Sequence, residues 1–385
     1  MFKIYGDGFH DDTDGIQQLL DSGKSEIVLD APEKCYLISR TLKIHGGQTL
    51  RIAPTTVIKL APDSNTAMLE DDSFSTYKEN ITIDGGIWDM NNTEQEPNPW
   101  YFPGKDGKTA YDRLGMVKGK DSFARFTEFP DVYTGKCMLF CRVKNLTIKN
   151  LTLRNPVTYG IGLGFVEDFT VSDITFDYKL CNPKYWNMDG VHVEGGCKNG
   201  VIRNLKGACH DDLVAITADD GLYGPIANIT VDGIFAEHCH SAVRLLSHGL
   251  PVKNVSISNV FGSFYTYAVG ISKYHGGPEE RGVMTNISIH NVSACASEGT
   301  EDVPGGKYPL IWIQSGLDIE GLRIENIYRE EKTYPTPLFR LEEGTAIKRL
   351  RMNNVVQKNL LDTPIPFMEI FGDAEDAIIA DCIEI

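Results

Sequence analysis

No stretch of the 385 residues approaches 18 consecutive apolar side chains, so no segment reads as a membrane-crossing helix. Positive charge is also scarce: 37 Lys+Arg stand against 53 Asp+Glu, a formal net charge of −16. That balance argues against nucleic acid, whose phosphates need a basic face, and against an anionic membrane surface. The nine cysteines (35, 137, 141, 181, 197, 209, 239, 295 and 382) contain no Cys-x-x-Cys pair, and their number is odd. Neither a zinc framework nor a thioredoxin-type motif is supported. They read as reduced and mostly buried, which suits an intracellular protein. The opening Met1-Phe2-Lys3-Ile4-Tyr5 lacks an apolar leader core and a small-residue cleavage site. The expectation is a cytoplasmic chain, or a secreted one whose leader has been trimmed. Apolar residues make up 42%, which excludes a disordered chain and supplies a large core.

One short phrase recurs: apolar-x-apolar, a polar residue, Asn, Asp or Gly, then another apolar residue. Examples are Leu146-Thr147-Ile148-Lys149-Asn150-Leu151, Phe169-Thr170-Val171-Ser172-Asp173-Ile174 and Val255-Ser256-Ile257-Ser258-Asn259-Val260. The central apolar residues fall at 148, 171, 202, 231, 257, 289, 324 and 352, in steps of 23 to 35. Period-two alternation makes each copy a strand with one buried side. A strand returning at this interval, with few helical segments between, means stacked coils of parallel β-structure. The Asn, Asp or Gly after each strand fits a turn that needs positive φ. A second short apolar strand often follows, as in Gly190-Val191-His192-Val193 and Leu213-Val214-Ala215-Ile216. The architecture expected is all-β, a parallel β-helix forming one domain over residues 1–385, with coils about 4.8 Å apart. A propeller needs longer four-stranded repeats, and a sandwich lacks a recurring phrase.

Such a stack needs caps at its ends. Residues 12–22 read as a short N-terminal capping helix, with Ile16, Leu19 and Leu20 on one face and Gly23 as the stop. Residues 93–136 break the repeat and are rich in aromatics (Trp100, Tyr101, Phe102, Tyr111, Phe123, Phe126, Phe129, Tyr133). An insertion of this length either covers a site or forms a surface loop with its own small core.

Two acidic motifs stand on adjacent coils: Asn187-Met188-Asp189-Gly190-Val191-His192-Val193 and His210-Asp211-Asp212-Leu213-Val214-Ala215-Ile216. Superposing Val191 and Val193 on Val214 and Ile216 sets Asp189 level with Asp212, with Asp211 one residue before. Three carboxylates crowded together repel, which should raise at least one pKa. A neutral acid beside an ionised carboxylate is what glycosidic cleavage needs. A metal site or an Asp-rich turn ladder would use the same residue types.

These motifs resemble glycoside hydrolase family 28, the polygalacturonases. Asn187-Met188-Asp189-Gly190 is similar to that family's Asn-Thr-Asp-Gly, and Asp211-Asp212-Leu213-Val214-Ala215-Ile216 to its Asp-Asp-Cys-Ile-Ala-Ile. The opening Gly6-Asp7-Gly8, Asp11-Asp12-Thr13 and Ile16-Gln17 resembles many pectin-acting β-helix proteins. The resemblance implies a right-handed β-helix and an inverting hydrolase of a poly- or oligosaccharide, pectin-derived ones among them. Asp211 would be the general acid, and Asp189 and Asp212 would activate water about 6.5–9.5 Å away. Asn187 would orient Asp189 or bind a sugar hydroxyl. No metal or other cofactor is implied. With a cytoplasmic location, short oligosaccharides and an exo mode are expected.

The chain departs from the family on the next two coils. Where the family has Gly-His-Gly, this chain has Cys239-His240-Ser241, with His240 displaced by one position. Where the family has Arg-Ile-Lys, the Arg falls on Gly270 and Lys273 comes one residue late. Arg244 stands in the same column one coil earlier, about 5 Å away. It either replaces the missing Arg on a uronate carboxylate or only offsets the acidic cluster. His192 lies further back in that column and reads as structural. The candidate substrate contacts are therefore Asn187, His210, His240, Arg244 and Lys273, and the partner expected is a carbohydrate. Two other readings stay open. One is a β-helix lyase or epimerase, with Ca²⁺ on the clustered acids or with Lys273 or Arg244 as base. The other is a carbohydrate-binding β-helix without catalysis.

Overall fold

The computed structural model describes residues 3–116, 132–274 and 277–385. Its core is a stack of parallel strands, and its fold is a right-handed parallel β-helix. The recurring phrase builds one long face. Strands Val143–Arg154, Glu167–Asp177, Lys198–Ala208, Ile226–Cys239, Val252–Phe264, Gly282–Ala296, Leu317–Glu331 and Ala346–Asn359 pair in that order. The register sets Ile148, Val171, Ile202, Val231, Ile257, Ile289, Ile324 and Met352 in one column. All eight are buried, so period-two alternation fills the interior rung by rung.

The residue expected to need positive φ does so in each of these copies. Asn150, Asp173, Asn204, Gly233, Asn259, Asn291, Asn326 and Asn354 all have φ between 52° and 82°. Asn is enriched there because its short amide tolerates the left-handed region and bonds locally. It also bonds to the next coil: Asn354 donates to Asn326 (2.9 Å), Asn326 to Asn291 (3.1 Å) and Asn291 to Asn259 (3.3 Å). A second left-handed row, unanticipated from the sequence, runs through Asn199, Asn228, Asn254 and Asn286, with side chains linked at 2.9 Å.

A second sheet of shorter strands carries the acidic motifs. Its middle order is Met138–Cys141, Ile161–Gly164, Val191–Val193, Asp212–Thr217, Ser241–Leu246, Val269–Ser272 and Ile311–Ile313. The helix Thr13–Leu20 caps the first coil with Ile16 and Leu20 fully buried. The Asp12 carboxylate ties the chain end down by accepting the Tyr5 (2.5 Å) and Leu37 (3.2 Å) backbone N–H groups. All nine cysteines are free, and Cys137, Cys141, Cys197, Cys209 and Cys239 are buried.

Of the insertion, 117–131 lie outside the described residues, and with them Phe123, Phe126 and Phe129. The described part includes the helix Ala110–Leu114, opened by a Thr109/Asp112 capping box. Trp100, Ala110, Leu114 and Met116 pack with Leu139, Cys141 and Leu222 into a small core on the outer side of the short-strand sheet.

Candidate active site

The short-strand register puts Val191 opposite Val214 and Asp212 opposite Ser241, which sets Asp189 level with Asp212. Asn187, with φ of 63°, turns the chain just before Asp189. Gly190 lets the two rungs close: a Cβ there would lie 2.4 Å from the Leu213 carbonyl oxygen. Its N–H donates to the Asp212 carbonyl at 3.0 Å. The two acidic motifs are thus locked side by side by backbone contacts.

The three carboxylates meet different surroundings. Asp212 is fully buried. Its Oδ1 accepts the Ser241 (2.5 Å) and Tyr267 (3.3 Å) hydroxyls. Its Oδ2 lies 2.6 Å from Arg244 Nε, but the N–H does not point along that line, so the contact is an ion pair without a formed hydrogen bond. Asp189 is also buried, and its Oδ2 is paired with His192 Nδ1. Asp211 keeps 24% of its side chain exposed and lies 3.7 Å from His240 Nδ1. The three acids therefore do not share one exposure: Asp211 faces the cleft and the other two lie beneath it. The cover comes from Tyr159 stacked at 4.1 Å on His192, and from the Arg244 and Tyr267 side chains on Asp212.

His192, read from the sequence as structural, is buried with both ring nitrogens partnered, and one of those partners is Asp189. Its Nε2 lies 3.0 Å from the Thr217 hydroxyl. That hydroxyl has one proton and two carbonyl acceptors, Val193 O at 3.3 Å and Asp220 O at 3.1 Å. Donating to either, Thr217 can only accept from the histidine, so Nε2 carries hydrogen. The other proton is held between Nδ1 and Asp189.

Burial, then the charge on Asp211, pushes Asp189 up to about 7, against the opposing effect of His192. For His192, burial alone would lower the pKa, but the bonded Asp189 carboxylate outweighs it and the net shift is upward. Asp211 is raised by desolvation among the cleft walls and by the Asp212 charge, while His240 and Arg244 pull it down. His210 is lowered, chiefly by burial. One ligand atom each of Asp211, Asp212 and His240 falls within 4.8 Å of the others, a spacing that suits a divalent cation. Arg244 already supplies positive charge to Asp212.

Asp211 opens onto a cleft of about 270 Å³. Asn187, His210 and His240 line it as well, so three of the five predicted substrate contacts come together there. His210 is held by a 3.1 Å contact from Nε2 to the Tyr178 carbonyl. Asn187 hydrogen-bonds the Tyr159 hydroxyl, which links it to Asp189 through His192. Arg244 is spent on Asp212 instead. Lys273 is not brought in: by register it stands six positions along the strand from Asp212, about 20 Å of extended chain. Its Nζ donates to the Gly277 carbonyl at 2.7 Å. The remaining walls are Tyr101, Tyr185, Trp186 and Val303. Trp186 abuts the first acidic motif, and Tyr101 belongs to the aromatic-rich insertion; Val303 carries no sequence signal.

The sequence matches no protein-family profile and no curated protein sequence. Solved structures do resemble it. The Yersinia enterocolitica family 28 exopolygalacturonase aligns with a TM-score of 0.65 at 15% identity, over 97% of this chain and 76% of the other. The Azotobacter vinelandii mannuronan C-5 epimerase AlgE6 A-module aligns at 0.59 and 13%, over 100% and 98%. The Streptococcus pneumoniae surface adhesin PfbA aligns at 0.53 and 12%, over 98% and 97%. At these identities the likeness is one of fold.

Proposed function

We propose that this protein is a glycoside hydrolase of polygalacturonase-like type acting on oligosaccharides. The observation that carries the reading is the split among three adjacent acids. Of the three, Asp211 alone reaches an aromatic-walled cleft, and burial, with the Asp212 charge behind it, raises its pKa. A carboxylic acid kept neutral next to an ionised one is the pair that glycosidic hydrolysis requires. Asp211 gives its proton to the leaving glycosidic oxygen as the anomeric C–O bond breaks. Water adds its hydroxyl to the anomeric carbon from the opposite side and yields a proton to Asp212. Asp212 is the better base of the buried two, because its Oδ2 has no formed hydrogen bond, whereas Asp189 already shares a proton with His192. Admitting that water requires Arg244 or Tyr267 to move aside.

The test is a reducing-end screen over oligosaccharides, with the first-formed anomer followed by NMR. Inversion is expected. Asp211→Asn should lower kcat by about 10²–10⁴-fold while leaving the fold intact. Unchanged turnover in that variant removes Asp211 from the chemistry. The burial of both bases favours one rival: proton abstraction beside a sugar carboxylate by His240 or a tyrosine, as an epimerase or lyase would perform. A product that absorbs in the ultraviolet, or that retains its chain length, would identify it.

A further inference from the structure

Resting on the hydrolase reading, we infer that the sugar bound over Asp211 is a neutral one and not a uronate. The cleft walls are aromatic and uncharged apart from Asp211 and the two histidines, and among the described residues they hold no lysine or arginine. Four of the cations on the described neighbouring segments are engaged with other groups. Arg244 Nε sits 2.6 Å from the buried Asp212 carboxylate, with its guanidinium 5.7 Å from the Tyr274 ring. Lys136 is paired with Glu194, and both are buried. Lys184 Nζ reaches Asp302 Oδ1 at 2.5 Å, and Lys273 the Gly277 carbonyl.

The column that carries Arg244 cannot supply another cation on its next rung. Gly270 occupies that place, and a Cβ there would lie 2.6 Å from the Tyr267 ring. Tyr267 is held in turn by its hydroxyl on Asp212. The space beside the acids is thus filled by an aromatic ring.

Charge counting leads to the same conclusion. Asp212 and Arg244 cancel, and Asp189 shares a proton with His192, so neither pair offers net positive charge to a ligand. Among the described residues, a uronate carboxylate entering the cleft would lose water without meeting a lysine or an arginine. A neutral sugar meets flat faces at Tyr101, Tyr185 and Trp186, and an amide at Asn187, which can fix a hydroxyl.

The test uses Asp211→Asn as a form that binds without turnover, with calorimetry as the readout. The ligands are trigalacturonate, its fully methyl-esterified form, and xylo-, gluco-, galacto- and arabino-oligosaccharides. The ester, or one of the neutral oligosaccharides, should bind at least ten-fold more tightly than the free acid. Val303→Lys, made in the same background, should recover at least ten-fold in affinity for the acid and leave the ester unchanged. Equal or tighter binding of the acid by Asp211→Asn overturns the inference, as does failure of every glycan to bind or a Val303→Lys variant that gains nothing. The hydrolase reading is judged separately: it fails if the wild-type protein releases no reducing ends from the glycan that the variant binds.

Discussion

Replacing Asp189 with Asn tests the buried proton directly. Asparagine keeps the shape of the side chain and cannot titrate. In the native protein Asp189 is pushed from 3.8 to about 7, chiefly by burial and then by the Asp211 charge. The folded state therefore keeps a proton that the unfolded chain gives up. That contribution is complete below the unfolded pKa and is lost as pH rises through the folded one. Three pH units at about 1.4 kcal/mol each set a ceiling near 4 kcal/mol; sharing the proton with His192 brings the expectation to about 2–4 kcal/mol. The assay is urea unfolding of wild type and Asp189→Asn from pH 4 to pH 8. Wild-type stability minus variant stability should fall across that range. Carboxylates with lowered pKa, such as Asp7 and Asp106, give an opposite slope but are common to both proteins and cancel. A difference that stays flat, or that grows with pH, would show that Asp189 is ionised throughout and that the proton assigned to the pair is absent.

Two further predictions concern the solenoid. Arg329 is completely buried against Glu331, with a second contact of 2.6 Å to the Thr336 carbonyl. Arg329→Met strands the Glu331 carboxylate and should cost about 3–5 kcal/mol in urea unfolding; a loss under 1 kcal/mol would mean the pair is not desolvated. At Asn259, with φ of 56°, Asn259→Gly should be more stable than Asn259→Ala by about 1 kcal/mol, the reverse of the usual order in a strand. Equal thermal unfolding midpoints would count against left-handed strain as the reason for the asparagine row.

The coil architecture was legible because one physical constraint repeats. Each rung needs an apolar-x-apolar pair inward and a left-handed residue at the corner, so the marker residues 148 to 352 fall into a single column. The row through Asn199, Asn228, Asn254 and Asn286 obeys the same rule three residues before the markers 202, 231, 257 and 289. The residues around it vary, so no recurring phrase marks it in the sequence. The side-by-side placement of Asp189 and Asp212 was also legible, since strand register follows from the flanking valines and isoleucine.

Solvent access was not legible, for a reason that lies outside the repeat. Alternation tells which side chains leave the solenoid interior, and His192 and Arg244 do so as expected. It says nothing about what then covers them. The covers come from distant segments: Tyr159 over His192, Tyr267 against Asp212, Tyr101 at the cleft. Each cover desolvates a position that lies outside the solenoid interior, and desolvation divides the acids. A carboxylate left open to water titrates near its ordinary value, whereas a buried one either gains a cation or keeps its proton. Asp212 follows the first course through Arg244, and Asp189 the second through His192. Asp211 lies at the cleft yet is desolvated enough for its pKa to rise, which is why the proposed hydrolase reading gives it the proton to hand over.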